Sequence, residues 1–478
     1  MIITFFGAAQ NVTGSKHLIQ TNGYNLLLDC GLYQGKRAKS NELNSELPFL
    51  ADSINAVILS HAHLDHCGTL PILAKNGFVG KIYCTKATAE IAKYILLDSA
   101  KIQEQDLSYL NRHLGPDEKQ ISPIYTTEDV EKTLEHFEPI DYFRNSKKWT
   151  ELNKDTPLGA QVRFKLYDAG HILGSAIICL EIKERHSGYP KVKTLAFTGD
   201  LGRENSPILR SPEYIKEDVQ TLITECTYGD RLHKPMSDAI QDLKSTINTA
   251  IKTKGKIIVP AFSLGRTQEL IYILHKLINE KSIPAIPIYI DSPLAENITD
   301  IFPNFTEDFD SASWEDFGSK GESPFFMKDL YYVRSTEDSK AINNKRGPFM
   351  VISASGMMEG GRVLHHLKNN IENPQNIILI TGYQAENTLG RRIQDGVSPI
   401  KIFGREYDVR AQVKTLNEFS AHADQREILS YISHTKNIEK IFLVHSELHQ
   451  SEAFKNILEK SYPSLPIEIP SLGQSFEI

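Results

Sequence analysis

The chain has 478 residues, 40% of them hydrophobic and 24% charged, with a formal net charge of −7. That composition is ordinary for a soluble globular protein, and the length implies two or three domains rather than one core. The acidic balance argues against a general nucleic-acid coat, which carries a basic excess, but not against a short cleft with a locally positive field. No apolar run approaches the roughly 20 residues of a membrane span, and the Met1–Phe6 start lacks the basic flank of a secretory leader. The five cysteines are odd in number and include no CxxC pair. Neither a disulfide framework nor a thiolate zinc site is indicated, so a reducing cytoplasm is the expected compartment.

Residues 1–200 read as short strands, helices, then strands again, with a long helical pattern from Thr85 to Leu110. From about 205 the grammar becomes strand–helix alternation. Strands are expected at Val219–Thr224, Lys256–Val259, Ile286–Ile290, Phe349–Ile352 and Asn376–Ile380. Helices are expected near Asp238–Thr253, Gly265–Ile278, Pro293–Ile301 and Gly360–Lys368. Alternation of this kind implies a parallel sheet covered by helices. The Asp308–Glu322 segment, rich in acid, Ser and Gly, reads as a surface loop. After about 405 come a strand at Ala411–Leu416, a loop at His422, a helix, a strand ending at His445 and a last helix.

The chemistry concentrates at strand ends. The apolar run Ala56–Leu59 leads into His61, His63, Asp65 and His66, four potential metal ligands within six residues. A loop lets such neighbours converge on one point, and imidazole nitrogen with carboxylate oxygen suits Zn²⁺ or a similar divalent ion. The same strand-then-ligand order recurs downstream. Val162–Leu166 precedes His171, Thr194–Phe197 precedes Asp200, and Ile441–Val444 precedes His445. Asn25–Leu28 delivers Asp29 to a strand end as well.

The HxHxDH segment followed by a separate His, an Asp and a last His resembles the metallo-β-lactamase fold. More narrowly it is similar to the β-CASP branch, the RNA-processing nucleases. Three further motifs carry that resemblance: Thr224–Gly229 with Glu225, Phe419–Asp424 with His422, and Leu443–Glu447 with His445. It covers nearly the whole chain from Gly7 onward. The implied fold is α+β with α/β, a metallo-β-lactamase αββα sandwich with an inserted parallel-sheet β-CASP domain. The expected divisions are 1–205 and 405–478 for the two parts of the sandwich and 206–404 for the insertion, with the active cleft at the junction.

The resemblance implies two Zn²⁺ ions per chain, one held by His61, His63 and His171, the other by Asp65, His66 and His445, with Asp200 bridging. It implies a ribonuclease in which a metal-activated hydroxide attacks the RNA phosphodiester. Asp29 would orient a ligand histidine. His422 would protonate the departing ribose oxygen, with Glu225 holding it charged. RNA-cleaving members resemble this chain in carrying His at the third motif, so His445 favours single-stranded RNA over DNA.

Three strand–glycine–helix turns, at Phe262–Arg266, Ser353–Met358 and Thr381–Gln384, suit phosphate. Ser263, Arg266, Ser353, Ser355, Gly356 and Arg391 are the substrate-binding candidates. The competing readings are a DNA nuclease of the same superfamily, a thioester, lactone or lactam hydrolase, and a non-catalytic RNA-binding interaction protein. The sequence leaves a homodimer open, implies no membrane partner, and does not separate endonuclease from 5′→3′ exonuclease action.

Overall fold

The computed structural model describes residues 1–35, 37–112, 122–153, 160–186, 189–317, 323–416 and 419–478. Among the described residues the chain forms two compact units. One comprises Met1–Glu204, Arg210–Leu232 and His422–Ile478, the other Asn205–Leu209 and His233–Ala421.

The first unit holds two seven-stranded sheets. One runs in the order Gln474–Glu477, Ile2–Phe5, His17–Thr21, Tyr24–Leu28, Ala56–Ile58, Lys81–Thr85, Phe137–Ile140. The other runs Ile467–Glu468, Lys440–Val444, Thr221–Glu225, Tyr189–Phe197, Ala176–His186, Gln161–Asp168, Thr150–Glu151. Strand side chains alternate between faces, and the apolar sequence uses both. Ile178, Leu180, Phe442 and Val444 point into a core shared with Ile3, Phe5, Leu26 and Ile58 of the facing sheet. Their neighbours Ile177, Cys179, Ile441 and Leu443 meet Ile428, Ile432, Phe454 and Leu458 of the helices Gln425–His434 and Leu448–Ser461. On the opposite face, Leu27, Val57 and Ile82 pack on Leu70, Leu73 and Leu96. Strands buried on both faces read as continuous apolar runs, and the result is the expected αββα sandwich.

The second unit carries a six-stranded parallel sheet in the order Leu330–Tyr332, Ile288–Ile290, Phe349–Ser353, Lys256–Pro260, Ile377–Ile380, Gln412–Thr415. Its helices include Met236–Thr253, Arg266–Asn279 and Val363–Asn370.

Three expectations are corrected. The strand expected at Ala411–Leu416, after the return to the sandwich at about 405, is Gln412–Thr415 and pairs in parallel with Ile377–Ile380 at the edge of the second unit's sheet. The strand read as the first of the alternation, here Thr221–Glu225, belongs to the sandwich, pairing in parallel with Tyr189–Phe197 and Lys440–Val444. Its five residues are all buried. A doubly covered strand before a helix looks the same in sequence whichever sheet it joins. The expected loop at 308–322 is structured in its described part. A 3₁₀ turn spans Phe302–Asp308 and a helix spans Ser311–Phe317, while residues 318–322 lie outside the described residues. Asp310 accepts from the Ser313 N–H at 2.7 Å. Phe317 is buried against the Tyr272 and His275 rings, which anchors a stretch whose composition is polar. No helix among the described residues is long and apolar enough to cross a membrane.

Candidate metal centre

Seven side chains from four strand ends of the first unit converge. His61, His63, His171 and Asp200 offer ligand atoms within 4.8 Å of one another, and so do Asp65, His66 and His445. Asp200 connects the two sets. Its Oδ2 lies 3.4 Å from His61 Nε2 and 3.5 Å from His171 Nε2. Its Oδ1 lies 3.2 Å from His66 Nε2 and 3.5 Å from His445 Nε2. Asp65 Oδ2 is 3.3 Å from His445 Nε2.

Tight backbone places these loops. Gly199, before Asp200, has φ +54°, and a Cβ there would stand 2.7 Å from Ser60 Cβ, so only glycine fits beneath the HxHxDH loop. His445 itself adopts φ +54°, and its N–H donates to Ala8 carbonyl oxygen at 2.7 Å. The N-terminal glycine-rich loop thus sets the last histidine.

Hydroxyls behind the ligands fix where the ring protons lie. Asp29 is fully buried and accepts from the Ser60 N–H (2.7 Å), Ser60 Oγ (2.9 Å), Ser15 Oγ (3.2 Å) and His66 Nδ1 (2.7 Å). Because the Ser60 hydroxyl donates to Asp29, it accepts from His61 Nδ1, 3.0 Å away. Thr227 Oγ1 donates to the His445 carbonyl (2.9 Å) and so accepts from His445 Nδ1 (3.1 Å). Three histidines therefore carry their proton on the outward nitrogen and turn the bare Nε2 inward. His66 Nε2 and Asp200 Oδ1 are buried with no hydrogen-bond partner. Ring nitrogens and carboxylates crowd together in this buried cluster, with His63 Nδ1 3.1 Å from His61 Nε2 and 3.3 Å from His171 Nε2, and cations complete such a donor set.

The electrostatics agree. Burial lowers the His61 and His63 pKa values to about 3 and about 4, and lowers His171 well below its ordinary value, so all three are neutral at pH 7. Burial disfavours the charged form of His66 too, but Asp200, Asp29 and Asp65 outweigh it and raise the pKa. That negative field favours positive charge at this point, whether proton or metal.

Beside the cluster, His422 Nδ1 lies 3.0 and 3.1 Å from the two oxygens of buried Glu225. Glu225 also accepts from the Leu201 N–H at 2.5 Å and the Thr227 N–H at 3.3 Å. Burial would lower the His422 pKa, yet the charge and hydrogen bond of Glu225, helped by Asp200 and Asp65, raise it to about 9. The His422 ring stands 4.5 Å from that of His171, and a ligand-type atom of His422 lies within 4.8 Å of Asp200 and His445. Ser60 and Thr227 were not singled out in the sequence. Each flanks a ligand motif, yet a hydroxyl beside a histidine carries no signal until its partners are known.

The substrate-binding candidates of the second unit fare differently. Arg266 is buried and ion-paired with Glu269 one turn on. Ser353 Oγ donates to the Asp291 carbonyl at 3.0 Å, and Ser263 Oγ shares a hydrogen bond with Ser292 Oγ at 3.0 Å. Arg391 pairs with Asp395 at 2.9 Å. These groups are engaged within the fold. Ser355 is half-buried, its Oγ accepting the Glu359 N–H at 3.2 Å. Gly356 lies so close to the Phe262 ring that a Cβ would stand 2.8 Å from it.

The two-sheet sandwich bearing this cluster is the metallo-β-lactamase fold. Family models match residues 18–189 as a metallo-beta-lactamase superfamily domain, 267–393 as a Beta-Casp domain, and 406–470 as a Zn-dependent metallo-hydrolase RNA specificity domain. Ribonuclease TTHA0252 of Thermus thermophilus is 34% identical over 460 residues, 96% of each chain. An RNase J-like protein of Methanocaldococcus jannaschii is 30% identical over 99% of each chain. Transcription termination factor FttA of the same archaeon is 31% identical, over 93% of this chain and 67% of that longer protein. A crystal structure of a protein of unknown function from Enterococcus faecalis V583 shares the fold, with a TM-score of 0.51 at 12% identity and 99% coverage of both chains. The chain belongs to the β-CASP ribonuclease branch of the metallo-β-lactamase superfamily.

Proposed function

We propose that this chain is a two-zinc ribonuclease that hydrolyses phosphodiester bonds of single-stranded RNA. The observation that carries the reading is the inward set of bare Nε2 atoms around Asp200, with His66 Nε2 and Asp200 Oδ1 buried and unpartnered. His61, His63 and His171 would hold one ion, Asp65, His66 and His445 the other, and Asp200 both. Bound there, the ions supply a water acidic enough to ionise near neutral pH and positive charge against the phosphate.

The chain's own residues do the rest. Asp29 holds the His66 ring and, through Ser60, the His61 ring, keeping their lone pairs inward. Water oxygen bonds to phosphorus as the bond from phosphorus to the ribose 3′-oxygen breaks. That oxygen leaves poorly as an anion. His422, its Nδ1 held by Glu225, has Nε2 left to give it a proton. Replacing the proton afterwards is favoured by the same Glu225 carboxylate. The Ser355–Gly356 turn is our candidate contact for the RNA backbone.

The test is incubation of purified protein with 5′-labelled and 3′-labelled single-stranded RNA and the matching DNA, before and after chelation, with products resolved by length. RNA cleavage that chelator abolishes and Zn²⁺ restores is expected. Preferential DNA cleavage would favour the DNA-nuclease reading, and metal-loaded but inert protein the interaction-protein reading.

A further inference from the structure

The second unit contains a buried charged network that the proposed chemistry does not use. Asp291 follows the strand Ile288–Ile290 and is fully buried. Its Oδ2 lies 2.7 Å from His366 Nε2 and accepts from Ser339 Oγ at 2.6 Å. Its Oδ1 accepts from Arg362 Nη1 at 2.7 Å. The main chain of the same residue is committed too. Its N–H donates to the Ile352 carbonyl at 2.8 Å, and its carbonyl accepts from Ser353 Oγ at 3.0 Å. Asp291 therefore grips both ends of the Ser353–Arg362 turn.

The protons of His366 can be counted from a chain of amides anchored on backbone. The Lys256 N–H donates to Asn376 Oδ1 (2.9 Å), which fixes that amide and turns its Nδ2 to Asn370 Oδ1 (3.2 Å). Asn370 Nδ2 donates to the His366 carbonyl (2.8 Å), which can only accept, and to Asn343 Oδ1 (3.2 Å). Asn343 thus presents oxygen to His366 Nδ1, 3.1 Å away, and Nδ1 must donate. At the other nitrogen stands a carboxylate that already accepts from Arg362 and Ser339.

We infer that His366 carries a proton on both ring nitrogens, so that Asp291 lies between two cations, His366 and Arg362, and that His366 is a positioning residue for the Ser353–Arg362 turn. Asp291 titrates below its usual range, since the bonds from His366, Ser339 and Arg362 outweigh its burial. The cluster is singly positive and sits beneath a turn that has two glycines, Gly360 and Gly361, at its far end. A buried charge whose partners are all fixed holds its geometry without solvent rearrangement. The role in RNA binding rests on the reading that this turn meets the RNA backbone; the proton count does not.

Neutron diffraction from the unmodified, perdeuterated protein at neutral pH reads the protons directly. Deuterium on both Nδ1 and Nε2 of His366, and none on Asp291, is expected. A bare nitrogen on His366, or deuterium on Asp291, overturns the inference whatever the protein's activity. The positioning role is tested kinetically with His366→Gln, which keeps a donor toward Asp291 and removes the charge. KM for single-stranded RNA should rise about ten-fold with kcat changed less than about two-fold, the pattern of lost binding rather than lost chemistry. Equal falls in kcat and kcat/KM would overturn the positioning role. Should that variant fail to fold, Asn343→Leu, which removes the oxygen that accepts from His366 Nδ1 and Asn370 Nδ2 while leaving Asp291 and Arg362 untouched, must show the same KM-weighted change. If wild-type protein neither binds nor cleaves RNA, the ribonuclease reading falls while the neutron result still decides the proton count.

Discussion

The strand-end loops of the sandwich and the strand–glycine–helix turns of the second unit look alike in sequence: polar residues and glycines after an apolar run. In the folded chain the metal loops differ from the Phe262–Arg266 and Ser353–Met358 turns, while Thr381 Oγ1 and Gln384 Oε1 of the third turn are, like atoms of the metal cluster, buried without a hydrogen-bond partner. Around Asp200 ring nitrogens and carboxylate oxygens face one another, and His66 Nε2 and Asp200 Oδ1 are buried without a hydrogen-bond partner. In the second unit Arg266, Ser263, Ser353 and Arg391 are bonded within the fold. An unsatisfied buried atom points to something that arrives from outside, whereas a satisfied one belongs to the scaffold.

The largest effect that could break this contrast is at the bridging carboxylate. Asp200→Ala should abolish RNA cleavage and lower bound zinc, measured by metal analysis after dialysis, and His63→Ala should do the same. Full activity in a zinc-depleted variant would remove the metal centre from the argument. Next comes the proton donor. His422→Ala should keep its zinc, bind RNA and cleave about 10²–10⁴-fold more slowly. Glu225→Gln should fall in the same direction, and the two losses should not add, since both serve one proton transfer. An RNA with a 3′-thio leaving group should rescue both; no rescue of His422→Ala would recast His422 as a ligand beside Asp200 and His445.

The same pair has a pH signature in metal-free protein. Glu225 raises the His422 pKa to about 9 against the pull of burial. With Gln at position 225 only burial and the weaker charges remain, so His422 should titrate markedly lower by NMR. Because a raised pKa stabilises the charged, folded form, His422 contributes stability fully below its unfolded pKa near 6.5. That contribution is lost as pH rises through about 9. Denaturant midpoints of metal-free wild type and Glu225→Gln should therefore converge above that pH.

Smaller effects sharpen the contrast from the scaffold side. Asp29→Asn should weaken zinc binding about 10–100-fold, the usual cost of removing a partner behind a ligand histidine. Arg266→Ala should cost about 3 kcal/mol of stability, by leaving Glu269 buried without this cation, and should leave the salt dependence of RNA binding as it was. A flatter salt slope at unchanged stability would restore Arg266 as a phosphate contact.

The metal cluster was legible because HxHxDH concentrates ligands that a sequence rarely groups, and because each further ligand repeats the strand-then-ligand order. The sandwich strands were legible as apolar runs. What stayed hidden was partnership. Nothing in the sequence tells that Arg266 meets Glu269, that Ser60 and Thr227 lock ring protons, or that Thr221–Glu225 lies beside Lys440–Val444 rather than in the inserted sheet. Those facts depend on which distant segments meet, and a residue type fixes only what it can bond, not what it does bond. The Ser311–Phe317 helix was missed for a related reason: its anchors, Tyr272 and His275, lie on another helix.

The parallel pairing of Thr221–Glu225 with Lys440–Val444 brings His445 to ligands that the ribosome finished long before. In chain order the group His61, His63, His171 and Asp200 is complete by residue 200, while the group of Asp65, His66 and His445 is not complete until residue 445. A chain cut short just before that strand contains one complete group of metal-binding side chains and His422, but only part of the other group.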